Sequence, residues 1–308
     1  MAKIKSGSTT TKLAISAVIA TYRREQVLID TIHYLLQLES GPDEIVVVDQ
    51  TPDHEPSTRQ SLTSLANADR IRTIKLDIPS ITHAMNVGLQ VARNDIVLFL
   101  DDDIVPGENL IDAHARTHAQ DGCNIVAGQV LQPGEEPVRE DPGGGGFRFC
   151  SDRAQYISDL MGGNFSINRD VALKLGGFDE NFIHVAYRFE AEFASRALAA
   201  GEKILFEPDA SIRHLKARTG GTRSYGRHLS TIRPSHSVGE YYYLLRSKRI
   251  RGRTRKILAR PLRAIRTRYH LSHPWWIPGT LFAEGWGFLW AVVLLLQGPR
   301  LIGGKRTG

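Results

Sequence analysis

The first hundred residues alternate between unbroken apolar runs and helical patterns, and few folds accept such a chain. Leu13–Ala20 reads as a strand, and Glu25–Leu38 as a helix with Leu28, Ile32, Leu35 and Leu36 as its apolar positions. Gly41-Pro42 breaks the chain before a strand over Glu44–Asp49, built on three consecutive valines. A helix over Ser57–Ala66, a strand over Arg70–Leu76, a helix over Ile81–Ala92 and a strand over Asp95–Leu100 continue the pattern. Strands that are apolar on both sides belong in a sheet covered on both faces, and helical crossovers favour parallel pairing. The expected class is α/β with a mainly parallel central sheet. Ligands bind such sheets beyond the carboxyl ends of the strands, which here carry Thr21-Tyr22-Arg23, Asp49-Gln50 and Asp101-Asp102-Asp103.

The aspartate triplet is the sharpest of these features. It follows the apolar run Ile96–Leu100, so three carboxylates emerge where a buried strand ends. In extended chain, residues two apart point the same way, which places Asp101 and Asp103 on one side and Asp102 on the other. Two convergent carboxylates suit Mg²⁺ or Mn²⁺, which take further ligands from water and substrate phosphates. A solvated acidic turn is the plain alternative, disfavoured by the apolar strand that delivers the acids.

Other signals narrow the class by what they lack. Apolar residues make up 42% and charged residues 23%, which excludes a disordered or collagen-like chain. Two cysteines, Cys123 and Cys150, support neither a disulfide framework nor a Cys-based zinc site and point to a reducing compartment. The polar stretch Ser6–Lys12 separates Lys3 and Lys5 from the first apolar run, so an export signal is not expected. No G-x-G-x-x-G follows a strand. Gly221–Gly226 with Arg227-His228 lacks the Lys and Ser/Thr of a phosphate loop, and Gly143–Gly146 reads as a flexible loop. His114 and His118 are four apart with no adjacent Glu, and are expected on an exposed helix face. Past residue 160, Met161–Ser166 and Gly176–Glu180 precede a helix over Arg188–Ala200 ending at Gly201, then a short strand Lys203–Phe206.

Taken together, Ala20-Thr21-Tyr22-Arg23-Arg24, Val46-Val47-Val48-Asp49, Phe99-Leu100-Asp101-Asp102-Asp103, Gly162-Gly163-Asn164 and Gly176-Gly177-Phe178-Asp179-Glu180 resemble the motifs of family 2 glycosyltransferases, in the family's order over about residues 13–215. The resemblance implies a GT-A fold, a nucleotide-sugar donor, a divalent metal (Mn²⁺ or Mg²⁺) and inversion at the anomeric carbon. It implies that Thr21, Tyr22 and Arg23 lie by the nucleotide, and that Asp49 reads a uracil edge, although Gln50 departs from the usual residue after it. Asn86 matches a donor-side position, and Asp101 and Asp103 match an Asp-x-Asp motif flanking Asp102, with the ion on Asp103 and Asp101. His214 resembles a histidine that completes the metal shell in some relatives. Gly163 and Asn164 fall on the acceptor side. In Tyr187–Arg196, Glu190 aligns with the family's catalytic base and Glu192 with an accessory acid. A base is needed to take the acceptor hydroxyl proton as its oxygen attacks.

Charge divides the chain. Residues 241–308 hold 14 Lys+Arg against the single acid Glu284, whereas residues 1–240 carry a net charge of −7. Eleven cations and no acid lie between Arg246 and Arg268, followed by Trp275-Trp276 and the apolar run Gly285–Leu296. That run has 12 residues, short of the ~20 that span a bilayer. The expectation is a tail at 1–12, a catalytic domain at 13–240 with a nucleotide half to about 105 and an acceptor half from about 106, and a basic, aromatic, helical extension at 241–308. Residues 246–296 are expected to meet an anionic membrane surface as an interfacial or re-entrant segment, on the cytoplasmic face, and nucleic acid is not expected as a partner. Residues 1–240 are expected to be soluble alone. The predicted activity is metal-dependent transfer from a nucleotide-sugar, with uridine as the expected base, to a hydroxyl on a glycan or lipid-linked acceptor, in cell-surface glycan or glycolipid synthesis. A polyprenyl-phosphate acceptor, a membrane-bound nucleotidyltransferase and a non-catalytic nucleotide-binding module remain as alternatives.

Overall fold

The computed structural model describes residues 13–120, 122–139, 147–226, 229–247 and 250–304, so the tail 1–12, Gly143–Gly146 and Arg227-His228 lie outside the described residues. The N-terminal half runs β1 (Ile15–Thr21), α1 (Gln26–Gln37), β2 (Glu44–Asp49), α2 (Pro56–Asn67), β3 (Arg72–Lys75), α3 (Ile81–Val91) and β4 (Ile96–Leu100). β1 pairs in parallel with β2 on one side and β4 on the other, and β3 extends the sheet beyond β2. Alternate strand residues feed two cores: Val18, Val46, Val48, Val97 and Phe99 face one, and Ala17, Ile19, Val47, Leu98 and Leu100 face the other. Leu28, Ile32 and Leu35 of α1 cover the second face, and Ala84, Met85 and Leu89 of α3 the first. The strand order reverses direction between β1 and β4, which sets the ligand crevice at their carboxyl ends.

The second half continues with β5 (Ile104–Pro106), α4 (Leu110–His118), β6 (Ile125–Leu131), β7 (Gln155–Ile157), β8 (Asn164–Asn168), α5 (Arg169–Lys174), α6 (Phe189–Ala199) and β9 (Ile204–His214). β8 enters antiparallel between β4 and β6, β9 lies parallel to β6, and β5 and β7 pair antiparallel with β9. The last strand does not stop at Phe206. Its pairing with β6 jumps from Gly128–Glu207 to Gln129–Ser211, so Pro208–Ala210 bulge out and pairing resumes to carry His214 to the crevice. Phe178 stacks edge-on against Phe99 of β4 at 5.3 Å and lies 4.8 Å from Phe193 of α6, which pins the Gly-Gly-Phe-Asp-Glu loop between sheet and helix.

The boundary expected at 240 falls inside a helix. α7 (Ser237–Arg246) buries Tyr241 and Tyr242 in the larger core, and α8 (Arg253–Ile265), α9 (Arg268–Ser272) and α10 (Ile277–Gln297) follow it. Ala283, Ala291 and Leu294 of α10 are buried, and a Cβ on Gly287 would stand 2.1 Å from Ser237 Oγ, so glycine permits the close α7–α10 contact. Beyond α10, Arg300 donates its N–H to Asp179 Oδ1 at 2.9 Å and Ile302 donates to Gly176 O at 2.8 Å. The C-terminal helices therefore pack on the same body, and the expected boundary cuts through α7.

His114 and His118 also depart from the expected exposed face. Both are buried, and Ser166 Oγ sits 2.7 Å from His114 Nδ1 and 2.8 Å from His118 Nε2. His114 Nε2 reaches Asn164 Oδ1 at 3.0 Å, and Cys123 O accepts from His118 Nδ1 at 3.0 Å. The polar side of α4 packs on β8, so helical spacing misread as solvent-facing is a buried polar network. Burial pushes the two imidazoles down to about 3 and about 4. Unfolding restores their ordinary proton affinity, so the unfolded state gains protons as pH falls below 6.5 and stability is lost. Each histidine adds about 1.4 kcal/mol per pH unit to that slope once its unfolded form is fully charged. Urea melts from pH 7 to pH 5 are expected to show a shallower loss for His118→Gln than for wild type, and parallel slopes would refute the assignment.

Candidate active site

Asp101, Asp102 and Asp103 leave β4 and alternate as the extended geometry requires. Asp101, Asp103 and His214 bring one ligand atom each to within 4.8 Å of one another. His214 Nε2 lies 3.2 Å from Asp103 Oδ1 and 3.8 Å from Asp101 Oδ2. Gln132 Oε1, 3.1 Å from His214 Nδ1, accepts that N–H and leaves Nε2 facing the carboxylates. Two carboxylates and an imidazole form a donor set that fits Mn²⁺, and the nitrogen suits it better than the all-oxygen preference of Mg²⁺.

Asp102 faces the other way. Its carboxylate takes the Thr21 hydroxyl at 2.8 Å and Arg24 Nε at 3.0 Å. Burial still pushes its carboxyl up to about 7, with Arg24 and Thr21 acting against the rise. Arg24 Nη2 also stands 3.5 Å from Asp103 Oδ2, and Nη1 donates to the carbonyls of Ala217 and Thr219. Ala217 donates its N–H to Asp103 Oδ2 at 2.7 Å. Burial works against ionised Asp103, but the His214 bond, the Ala217 N–H and Arg24 together hold its carboxyl below the usual range. The turn itself is set from α1, where Thr31 Oγ1 receives the Ile104 N–H at 3.1 Å and approaches the Asp102 carbonyl at 3.2 Å.

Two successive glycines open the floor. A Cβ on Gly163 would fall 2.3 Å from Asp101 Oδ2, and one on Gly162 would fall 2.9 Å from Glu190 Oε1. Adjacent Cα atoms are about 3.8 Å apart, so the glycine pair brings Asp101 and Glu190 against neighbouring points of one backbone. Glu190 opens α6 and is half-buried in the same cleft of about 550 Å³, which Tyr22, Gln50, Asp159, His184 and Tyr225 also line. Burial pushes the Glu190 carboxyl up to about 8, and the charges of Asp101 and Asp159 add to the rise.

Several expected site residues stand elsewhere. Thr21 holds Asp102 from beneath, and Arg23 caps the Tyr22 ring at 5.2 Å while its N–H donates to Thr51. Asp49 lines a recess beside the cleft, where it meets Lys75 at 2.9 Å, His54 at 3.2 Å and the Thr51 N–H, while the neighbouring Gln50 lines the cleft with its amide held by Thr21 O and the Ser80 N–H. Asn86 is buried, and its side chain exchanges hydrogen bonds with the Phe178 backbone at 2.8 and 2.7 Å. Asn164 is fully buried and donates to the carbonyls of Gln129 and Ala210, which leaves Gly163 to face the cleft. Glu192 is sealed between Arg196 and Arg246, each at 2.8 Å, and offers nothing to an acceptor. Arg24 is the residue that sequence reasoning undervalued. Three acids at one strand end demand a cation, and that demand was the available signal.

Residues 16–176, just over half of the chain, match the family described as Glycosyl transferase family 2. The chain belongs to that family and is a glycosyltransferase of GT-A fold. Staphylococcus aureus TarS residues 1–349 with UDP-GlcNAc share 17% identity and a TM-score of 0.60, covering 91% of this chain and 82% of that one. The Pyrobaculum calidifontis mannosyltransferase with GDP-Man and Mn²⁺ shares 18% identity and a TM-score of 0.56, covering 94% and 80%. GalNAc-T7 with UDP, GalNAc and Mn²⁺ shares 16% identity and a TM-score of 0.55 over 67% of this chain, which spans 44% of that enzyme's chain. At these identities the likeness shows the fold. Comparison with curated proteins gave no match.

Removing one partner of a buried ion pair typically costs about 3–5 kcal/mol because the other charge is stranded. Arg24→Met is expected to lose stability of that order in metal-free protein, and Asp102→Asn added to it to recover a clear part. Additive losses in this double-mutant cycle would show that the pair is not coupled.

Proposed function

We propose that this chain transfers a sugar from a nucleotide-sugar donor to an acceptor hydroxyl with inversion, with Glu190 as base and Asp101, Asp103 and His214 as the residues that hold a divalent ion. The observation that carries this reading is the convergence in one cleft of that donor set with a carboxyl whose proton affinity is raised to about 8. When bound there, the ion would neutralise negative charge on the departing nucleoside diphosphate. Tyr22 offers an aromatic face beside the metal-ligand set, suited to a nucleoside. Glu190 lines the same cleft. Its carboxylate would take the acceptor proton while the acceptor oxygen bonds the anomeric carbon and the bond to diphosphate breaks. Attack from the face opposite the leaving group inverts the configuration in one displacement. A carboxyl raised toward neutrality is a stronger base once ionised, at the cost of a smaller ionised fraction at pH 7.

Glu190→Gln is expected to lower the transfer rate about 10²–10⁴-fold with donor affinity nearly unchanged. The same substitution is expected to stabilise metal-free protein. Because the folded pKa lies above the ordinary value of 4.5, the folded state binds the extra proton, and stability falls as pH rises between 4.5 and about 8. Glutamine removes that loss, so the variant is expected to melt above wild type at pH 9 and to approach it near pH 5. An unchanged transfer rate would exclude Glu190 as the base.

Titration calorimetry is expected to find one Mn²⁺ site, weakened in His214→Ala and abolished in Asp103→Ala, with transfer lost in excess chelator. Stoichiometric Mn²⁺ binding by Asp103→Ala would place the ion elsewhere.

A further inference from the structure

The segment Pro274–Gln297 has a mean hydropathy of 1.6 over its most apolar stretch and the length to cross a bilayer, yet a third of that stretch is buried against the rest of the protein. Its two sides differ. The inner side of α10 is held along its length: His270 Nε2 lies 2.9 Å from Thr280 Oγ1, Ser237 Oγ donates to Ala283 O at 3.0 Å, and Arg260 Nε stands 2.9 Å from Glu284 Oε2. The outer side exposes Phe282, Trp286, Leu289, Val293 and Leu296, the last at 81% relative exposure. Their spacings of four and three residues put them on one stripe. Among the described residues nothing covers that stripe.

The neighbouring helix supplies the charge. α8 packs beside α10, exposes Leu258 and Leu262, and carries Arg253, Arg255, Lys256 and Arg263 at the surface. No acid occurs between Arg246 and Glu284, and Glu284 is neutralised by Arg260. An unbroken apolar and aromatic stripe flanked by cations alone matches the boundary of an anionic bilayer, where rings and aliphatic chains enter the acyl edge and arginines meet headgroups. A second copy is a poor occupant, because a two-fold contact would set one cationic α8 against the other.

We propose that the outer faces of α8 and α10 dock on an anionic lipid bilayer, with α10 lying in the interface and not crossing it. Both ends of α10 are tied to the same body. Thr280 is held by His270 at the start, and past the end Asn181 donates to Gly298 O at 2.7 Å while Arg300 donates to Asp179. A spanning helix would have to release one of these ends and carry the Glu284–Arg260 pair into hydrocarbon. The cytoplasmic leaflet, with its anionic lipids, is the surface this chemistry selects. α10 also adjoins the cleft, since the ring of its partly buried Trp290 lies 5.8 Å from His184, which lines it. Resting on the glycosyl-transfer reading, this places the acceptor among molecules presented at a membrane surface.

The test is flotation of the full chain with vesicles of phosphatidylcholine alone or mixed with phosphatidylglycerol. Wild type is expected to float with the mixed vesicles and to come off in high salt and in alkaline carbonate. Leu289→Glu with Leu296→Glu, and separately Arg253→Glu with Arg263→Glu, are expected to weaken binding at least tenfold with unchanged melting and Mn²⁺ binding. Equal binding by the variants, no binding by wild type, or a dimer dispersed by Leu289→Glu would overturn the docking surface. Resistance to carbonate would overturn the flat orientation. Glu190→Gln is expected to float like wild type, so a failure of the catalytic reading leaves this result intact.

Discussion

Everything at the crevice depends on how three carboxylates are tolerated at one strand end. Arg24 makes this feasible by lying under the turn, with its Nε on Asp102 and its Nη2 toward Asp103. Its remaining donors reach the carbonyls of Ala217 and Thr219, so the same guanidinium that balances the acids also fastens the segment after β9. A lysine offers one compact charge with three donors and no planar fork, and would not serve these four partners at once. The Thr21 hydroxyl completes the seat of Asp102 from β1. The ends of β1, β4 and β9 are thus joined by one cation, at the point where the sheet's strand order reverses.

That arrangement frees Asp101 and Asp103 to face His214, and the glycine pair then decides what lies opposite. With any side chain at Gly162 or Gly163 the loop would have to retreat from Glu190 or Asp101. The proximity has an electrostatic consequence, because Asp101 is among the charges that raise the Glu190 carboxyl. The cleft therefore concentrates negative charge on both walls, a field suited to a cation on one wall and to proton uptake on the other.

The N-terminal half of the fold was legible because its strands are apolar on both faces and its helices keep their period. Val46, Val47 and Val48 divide between two cores, as a doubly covered strand must. The alternation of Asp101, Asp102 and Asp103 was legible for the same reason. What failed was the reading of polar residues whose partners are distant in sequence. His114 and His118 look solvated until Ser166 and Asn164 are placed beside them, about fifty residues later. Asn86 and Glu192 likewise serve the backbone near Phe178 and the guanidinium of Arg246. Asp49 sits at the strand end where a ligand contact is expected, but Lys75 and His54 reach it first. Local patterns fix which face a residue occupies, whereas the partner that claims a polar group comes from the tertiary fold.

The position of α6, and so of Glu190, is set by the part of the chain that composition marked as an appendage. Asp179 is fully buried and accepts from the Tyr242 hydroxyl at 2.7 Å and the Arg300 N–H at 2.9 Å, with Arg246 Nε at 3.6 Å. Arg246 also holds Glu192 of α6 at 2.8 Å, and Arg188, the residue before α6, pairs with Glu240 of α7 at 2.9 Å. A chain ending at residue 240 would lose Tyr242, Arg246 and Arg300 together, leaving Asp179 without those donors and Glu192 with Arg196 alone. Stranding buried charges in this way is strongly destabilising, and the loss would fall on the helix that carries Glu190. Arg253, Arg255, Lys256 and Arg263 of α8 face outward, while the inner surfaces of α7 and α10 complete the catalytic body. An exposed apolar and cationic surface and a structural buttress are thus two sides of the same helices.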